Sequence, residues 1–207
     1  IIAEHFMPIR FQLMALPGVT LDEIEKAHSH IMALGQCRAY LRARGIEAIV
    51  AADTAGAARI VRDLGERNTA AIAPALAAEV YGLDILARNI EDADHNTTRF
   101  VIMAPQPLEH QDVGEDAVTS FLFQVRNIPA ALYKAMGGFA TNGVNMTKLE
   151  SYQIDGSFTA TQFYAEIEGH PDERRVQLAL EELGFFSTSL KIIGVFPAHA
   201  EGYRYGR

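Results

Sequence analysis

Few side chains in this sequence combine the types and spacing that chemistry needs. Asn96-Thr97-Thr98-Arg99-Phe100 sets hydroxyls beside a guanidinium and an aromatic ring. Arg99 offers a fixed fork of donors suited to a carboxylate, and Thr98 offers a hydroxyl donor. Taken alone, a surface ion pair and a strand-favouring residue at a strand start account for both. Gln36 carries an amide that donates and accepts at once, as does any helix-surface Gln. Ser29 reads as a ligand contact or as the N-cap of a helix running through Ala33 to Ala43, and the two are compatible because a helix start favours an anion. His28 and His30 hint at a metal, but no cluster of Cys, Asp or His completes three or four ligands, so none is expected. Cys37 reads as a small buried hydrophobe. Asp53-Thr54, ahead of an Ala-rich run, is first a capping signal and second a cleft lining.

The elements that must position these residues change character near residue 105. Upstream, short apolar runs alternate with Ala-rich helical stretches: strands at 46–50, 70–72 and 100–103, helices at 54–64 and 75–81. That alternation predicts an α/β layer structure with mainly parallel pairing. Residues 105–116 carry two Pro, a Gly and several charges without periodicity, as a linker does. Beyond it, Phe121, Phe123 and Val125 alternate as in a half-buried strand, and Leu132, Ala135, Met136 and Phe139 recur at helical spacing up to Asn142-Gly143. Strands follow at 144–154 and 158–167, joined by the turn signal Asp155-Gly156. A helix with Val176, Ala179, Leu180 and Leu183 inward is closed by Gly184, and a last strand runs over 190–195. The order βαββαβ is the ferredoxin-like split unit. In it, the helix start at Asn127, Pro129, Ala130, Ala131 and Leu132 presents amides suited to an amino acid's carboxylate. Glu150 and Ser151 stand late in the next strand.

Composition narrows the function classes. The 207 residues are 49% hydrophobic and 21% charged, an ordinary globular balance, with a net charge of -8. The 18 Lys and Arg residues are scattered rather than striped, which argues against a nucleic-acid partner. Charges or Gly interrupt every apolar run, so no membrane partner is expected. One cysteine excludes an internal disulfide and fits a reducing compartment, with the cytoplasm as default.

An ordered set of short motifs resembles the prephenate dehydratase family of bacterial type. Thr98-Arg99-Phe100 matches the family's Thr-Arg-Phe signature. His28-Ser29-His30 with Ala33-Leu34-Gly35-Gln36-Cys37 resembles its Ser-His-Pro-Gln-Ala-Leu-Ala-Gln-Cys segment. Asp53-Thr54-Ala55-Gly56-Ala57-Ala58 and Ala78-Glu79-Val80-Tyr81-Gly82-Leu83 follow in the family's order, and Asn127 to Tyr133 and Glu150-Ser151 match its regulatory domain. This sequence departs from the pattern with Ile31-Met32 for Pro-Gln, Gly35 for Ala, Ala130 for Gly, and Tyr152-Gln153 for Arg-Pro.

The resemblance implies part of a two-lobed, periplasmic-binding-protein-like catalytic module over residues 1–104. A linker over 105–118, a phenylalanine-sensing ACT domain over 119–198 and a tail over 199–207 follow. It implies decarboxylating dehydration of prephenate to phenylpyruvate, driven by aromatisation and without a cofactor. Thr98, Arg99, Gln36 and Ser29 are the expected catalytic residues, and Phe100, His30, Asp53 and Thr54 the expected substrate contacts. Asn127, Pro129, Ala130, Ala131, Leu132, Glu150 and Ser151 are the expected L-phenylalanine site, between paired domains of a homodimer or homotetramer. The family's Glu-Asn-Ser stretch normally lies ahead of Ile1, so the chain is expected to be N-terminally truncated and inactive by itself. Two alternatives stand: arogenate dehydratase, and a non-catalytic amino-acid-sensing protein.

Overall fold

A computed structural model describes residues 1–126, 128–154 and 160–199. The chain forms two compact units: residues 7–98, and residues 1–6 together with the described residues from 99 onward. The elements in order are β1 (Ala3–Pro8), β2 (Gln12–Ala15), β3 (Lys26–Ser29), α1 (Ile31–Gln36), α2 (Arg38–Arg44), β4 (Glu47–Val50), α3 (Thr54–Leu64), β5 (Thr69–Ala73), α4 (Ala75–Tyr81), β6 (Asp84–Ala87) and β7 (Thr97–Ile102). Then come α5 (His110–Val113), β8 (Ala117–Val125), α6 (Ala131–Thr141), β9 (Met146–Gln153), β10 (Ala160–Glu168), α7 (Arg174–Phe186) and β11 (Ser187–Pro197).

In the unit of residues 7–98, five strands lie in the order β4-β3-β5-β2-β6. β3 runs parallel to both β4 and β5, whereas β2 runs antiparallel to β5 and β6. Every residue of β5 is buried, because helices cover both faces of the sheet and alternate side chains leave on opposite sides. Leu13, Ala15, Ala70 and Ile72 join Leu34 of α1, Leu41 of α2 and Cys37 between them in one core. Met14, Ala71 and Ala73 join Ala57, Ala58 and Val61 of α3 and Ala77 and Ala78 of α4 in the other. The helices at 54–64 and 75–81 stand where the sequence places them.

The second unit holds β8-α6-β9-β10-α7-β11, with the strands ordered β11-β8-β10-β9 and every pairing antiparallel. This is the ferredoxin-like arrangement read from the sequence. Phe121, Phe123, Phe163, Ala165 and Ile167 face Ala135, Phe139, Val176, Ala179 and Leu183 of the helices. The two helices approach closely at Gly138, where a Cβ would lie 2.9 Å from the Glu182 Cβ. Gly184 does not close α7, which continues through Phe186 to a C-cap at Ser187. The segment at 105–116 is not wholly irregular, since it contains the one-turn helix α5. The turn signal Asp155-Gly156 lies outside the described residues.

Candidate active site

Gln36 ends α1 at a break. Cys37 takes φ -112° and ψ 18°, so the helix expected over 33–43 is two helices with a shared boundary. The segment at 91–96 occupies that break. The Asp92 amide donates to the Gln36 carbonyl at 2.7 Å. The Asp92 carboxylate accepts from the Ala39 amide at 3.0 Å, supplying α2 with the acceptor that Cys37 lacks. Asn96 closes the other end: its Nδ2 donates to Gln36 Oε1 at 3.2 Å and to the Ile9 carbonyl at 3.3 Å. Glu91 is tied back by Arg10 at 2.7 Å and by the Phe11 amide at 2.9 Å.

These residues enclose a pocket of about 290 Å³ lined by Gly35, Gln36, Glu91, Asp92, His95, Asn96 and Thr97, among others. Burial alone would raise the Glu91 carboxyl, but the bonds from Arg10 and Phe11 outweigh it and hold the group below its ordinary value. The pocket therefore joins two carboxylates to a pair of linked amides, a wall that can donate and accept toward a polyfunctional ligand. Among its lining residues only Gln36 was singled out by type and spacing as a site residue. Asn96 stood inside the quoted signature, and its contact with Gln36 is fixed by folding rather than by spacing.

The remaining predicted residues are distributed over both units. Thr98 is exposed on β7. Ser29 is not the cap of α1. It ends β3, is fully buried, and its Oγ donates to the Ile72 carbonyl at 2.6 Å. His30 is the cap, with Nδ1 accepting from the Met32 amide at 3.3 Å. Burial pushes the neighbouring His28 imidazole down. Asp53 caps α3 by accepting from the Gly56 amide, with Thr54 as the first helical residue. Burial first, and then Asp92 and Glu91, push the Cys37 thiol up to about 12, so it is no nucleophile.

Arg99 belongs to the second unit, where its Nε bonds Glu4 Oε2 at 2.6 Å and its Nη1 bonds Glu166 Oε2 at 2.7 Å. Glu166 also accepts from Ser120 and Tyr164 on the sheet face away from the helices. Phe100 is 46% exposed beside it in sequence. On the same unit, Ala130 precedes α6 with φ +59°, and the Ala131 amide donates to the Ile128 carbonyl at 3.1 Å. Pro129 is exposed in that turn, and Leu132 packs against the core. Asn127 lies outside the described residues. Glu150 accepts from the Tyr152 hydroxyl at 2.7 Å and pairs with Lys148 at 3.0 Å, which lowers its pKa, and Ser151 beside it is exposed.

The chain thus joins an α/β unit carrying a pocket lined by amides and carboxylates to a ferredoxin-like αβ unit. Comparison of the sequence with protein families is specific: the prephenate dehydratase family model matches residues 1–107, and the chain belongs to that family. It is 49% identical over 198 residues to a bifunctional N-acyl-homoserine lactone acylase/prephenate dehydratase of Komagataeibacter europaeus, covering 96% of this chain and 70% of that protein. It is 38% identical over 199 residues to a bifunctional chorismate mutase/prephenate dehydratase of Aquifex aeolicus, covering 95% of this chain and 53% of that one. A prephenate dehydratase from Arthrobacter aurescens, solved in complex with L-Phe, superposes with a TM-score of 0.82 at 28% identity, covering 96% of this chain and 66% of its own. The chain thus spans about half the length of the Aquifex relative. Among the described residues no helix is long and apolar enough to cross a membrane.

Proposed function

We propose that the protein carrying this chain converts prephenate to phenylpyruvate by decarboxylating dehydration, as a cytoplasmic step of L-phenylalanine biosynthesis. The observation that carries this reading is the Gln36–Asn96 amide pair in the pocket of a prephenate dehydratase family unit, two residues before Thr98. In this reading Gln36 and Asn96 orient the substrate's carboxylate and hydroxyl groups, and Thr98 donates to the departing oxygen. Ser29, His30, Asp53 and Thr54 fix the strand and helix ends around them. Arg99 grips a substrate carboxylate only by exchanging one of its glutamates for it. Phe100 follows it as an apolar contact.

The ferredoxin-like unit acts as an ACT domain in a homodimer or homotetramer. It takes L-phenylalanine at the start of α6 with Glu150 opposite, and the L-Phe complex of the Arthrobacter relative supports this choice of effector. In the protein carrying this chain, Thr98→Ala should lower phenylpyruvate formation about 100-fold or more with the fold intact, and near-parental turnover would sink the reading. A second reading, hydrolysis of N-acyl-homoserine lactones, rests on the 49% identity to the Komagataeibacter protein of that name. Release of homoserine lactone without phenylpyruvate formation would favour it.

A further inference from the structure

In the second unit, three side chains with metal-ligating atoms meet. His110 opens α5, ahead of the ferredoxin-like sheet, while His170 and Asp172 stand in the turn between β10 and α7. His110 Nδ1 lies 2.9 Å from Asp172 Oδ2, and His170 Nδ1 lies 3.5 Å from the same oxygen. The two imidazole centroids are 4.0 Å apart with the planes steeply inclined. One ligand atom from each of the three falls within 4.8 Å of the others. We propose that His110, His170 and Asp172 bind a divalent transition-metal ion of the zinc, cobalt or nickel kind.

Bond lengths decide whether the spacing suffices. Tetrahedral zinc with ligands at about 2.0–2.1 Å holds its ligand atoms roughly 3.3 Å apart. Two of the three separations, 2.9 and 3.5 Å, bracket that value, and the third, between the histidines, is within 4.8 Å. Two imidazoles and one carboxylate suit a borderline ion, whereas calcium or magnesium calls for a set of oxygen ligands. Access and anchorage are both provided. The His110 and Asp172 side chains are 65% and 68% exposed, so water can complete the coordination, while His170 at 15% is held in the turn. The Asp172 amide donates to His170 Nδ1 at 3.1 Å, so an ion taking that nitrogen displaces one backbone hydrogen bond. Glu173 holds the same turn by accepting from the His170 amide at 2.7 Å. The bland account is a His110–Asp172 surface ion pair, worth little. It does not call for a second imidazole against the first.

The test uses the chain of residues 1–207, freed of metal by a chelator and titrated with Co2+ and with Zn2+. One equivalent of Co2+ should give visible bands of low coordination number, and Zn2+ should displace it and raise the thermal unfolding midpoint. His110→Ala and Asp172→Asn should each weaken binding at least tenfold while circular dichroism stays parental, and His5→Ala should bind as the parent does. No saturable uptake at micromolar metal, or equal uptake by parent, His110→Ala and Asp172→Asn, overturns the site.

Discussion

Arg99 Nη1 and Glu166 Oε2 stand 2.7 Å apart, and both glutamates that hold this guanidinium are almost wholly buried. Removing the cation would strand two carboxylates where water cannot solvate them. Arg99→Ala should therefore destabilise the unit by about 3 kcal/mol or more. Arg99→Lys should recover part of that, since an ammonium satisfies the charge but not both directions of the fork. Urea unfolding of the three proteins checks this, and equal midpoints for Arg99→Ala and parent would refute it. Activity loss in Arg99 variants must be read beside this measurement, because a disturbed sheet lowers turnover without any lost substrate contact.

Acid stability of residues 7–98 should depend on Glu91. Its carboxyl is held below the ordinary 4.5 by Arg10 and the Phe11 amide, against the opposing effect of burial. A group depressed on folding contributes stability that is complete above its unfolded value and lost as pH falls through the folded one. The unfolding midpoint should thus drop as pH falls from about 4.5. Glu91→Gln should cost roughly 1–2 kcal/mol at pH 7 and flatten the acid limb. Thermal melts of parent and variant at pH 7 and pH 4 decide it, and an equal difference at both would remove Glu91 as the cause.

Ala130 occupies the left-handed region at φ +59°, where its Cβ crowds the backbone. Relief of about 1–2 kcal/mol of strain in Ala130→Gly exceeds the roughly 0.4–1 kcal/mol gained in unfolded-chain entropy. The variant should be modestly more stable, by about 0.5–1 kcal/mol on the same figures. Denaturant midpoints measure this, and a less stable glycine variant would show that the strain is already relaxed.

Elements carried by local pattern were legible in the sequence. The Asp53 cap of α3, the Ala-rich runs of α3 and α4, and the alternating Phe121, Phe123 and Val125 need only neighbours within a turn or a pleat. The capping reading of Ser29 failed because a strand-ending serine and a capping serine look alike. What distinguishes them is Ile72, 43 residues away. The break at Cys37 was hidden for the same reason, since its support comes from Asp92. The pairing of Arg99 with Glu4 and Glu166 joins three distant segments, and no spacing rule announces it. The His110–His170–Asp172 group was missed because His110 lies 62 residues from Asp172, and only folding brings it to the His170–Asp172 turn.

The amide of Ile9 donates to the carbonyl of Asn96 at 2.8 Å, so residues 7–98 leave and return at one place, between β1 and β7. This fixes an order of events during synthesis. Strand β1 leaves the ribosome long before its partner, and at about 5–20 residues per second it waits on the order of 5–20 s for β7 to be made. Throughout that interval it lacks its β7 partner, and a strand without a partner can recruit other chains. Pro8 at its end and the charge of Glu4 are residue types that disfavour such recruitment. The enclosed segment can complete its own sheet meanwhile, because every strand of that sheet lies within residues 12–87.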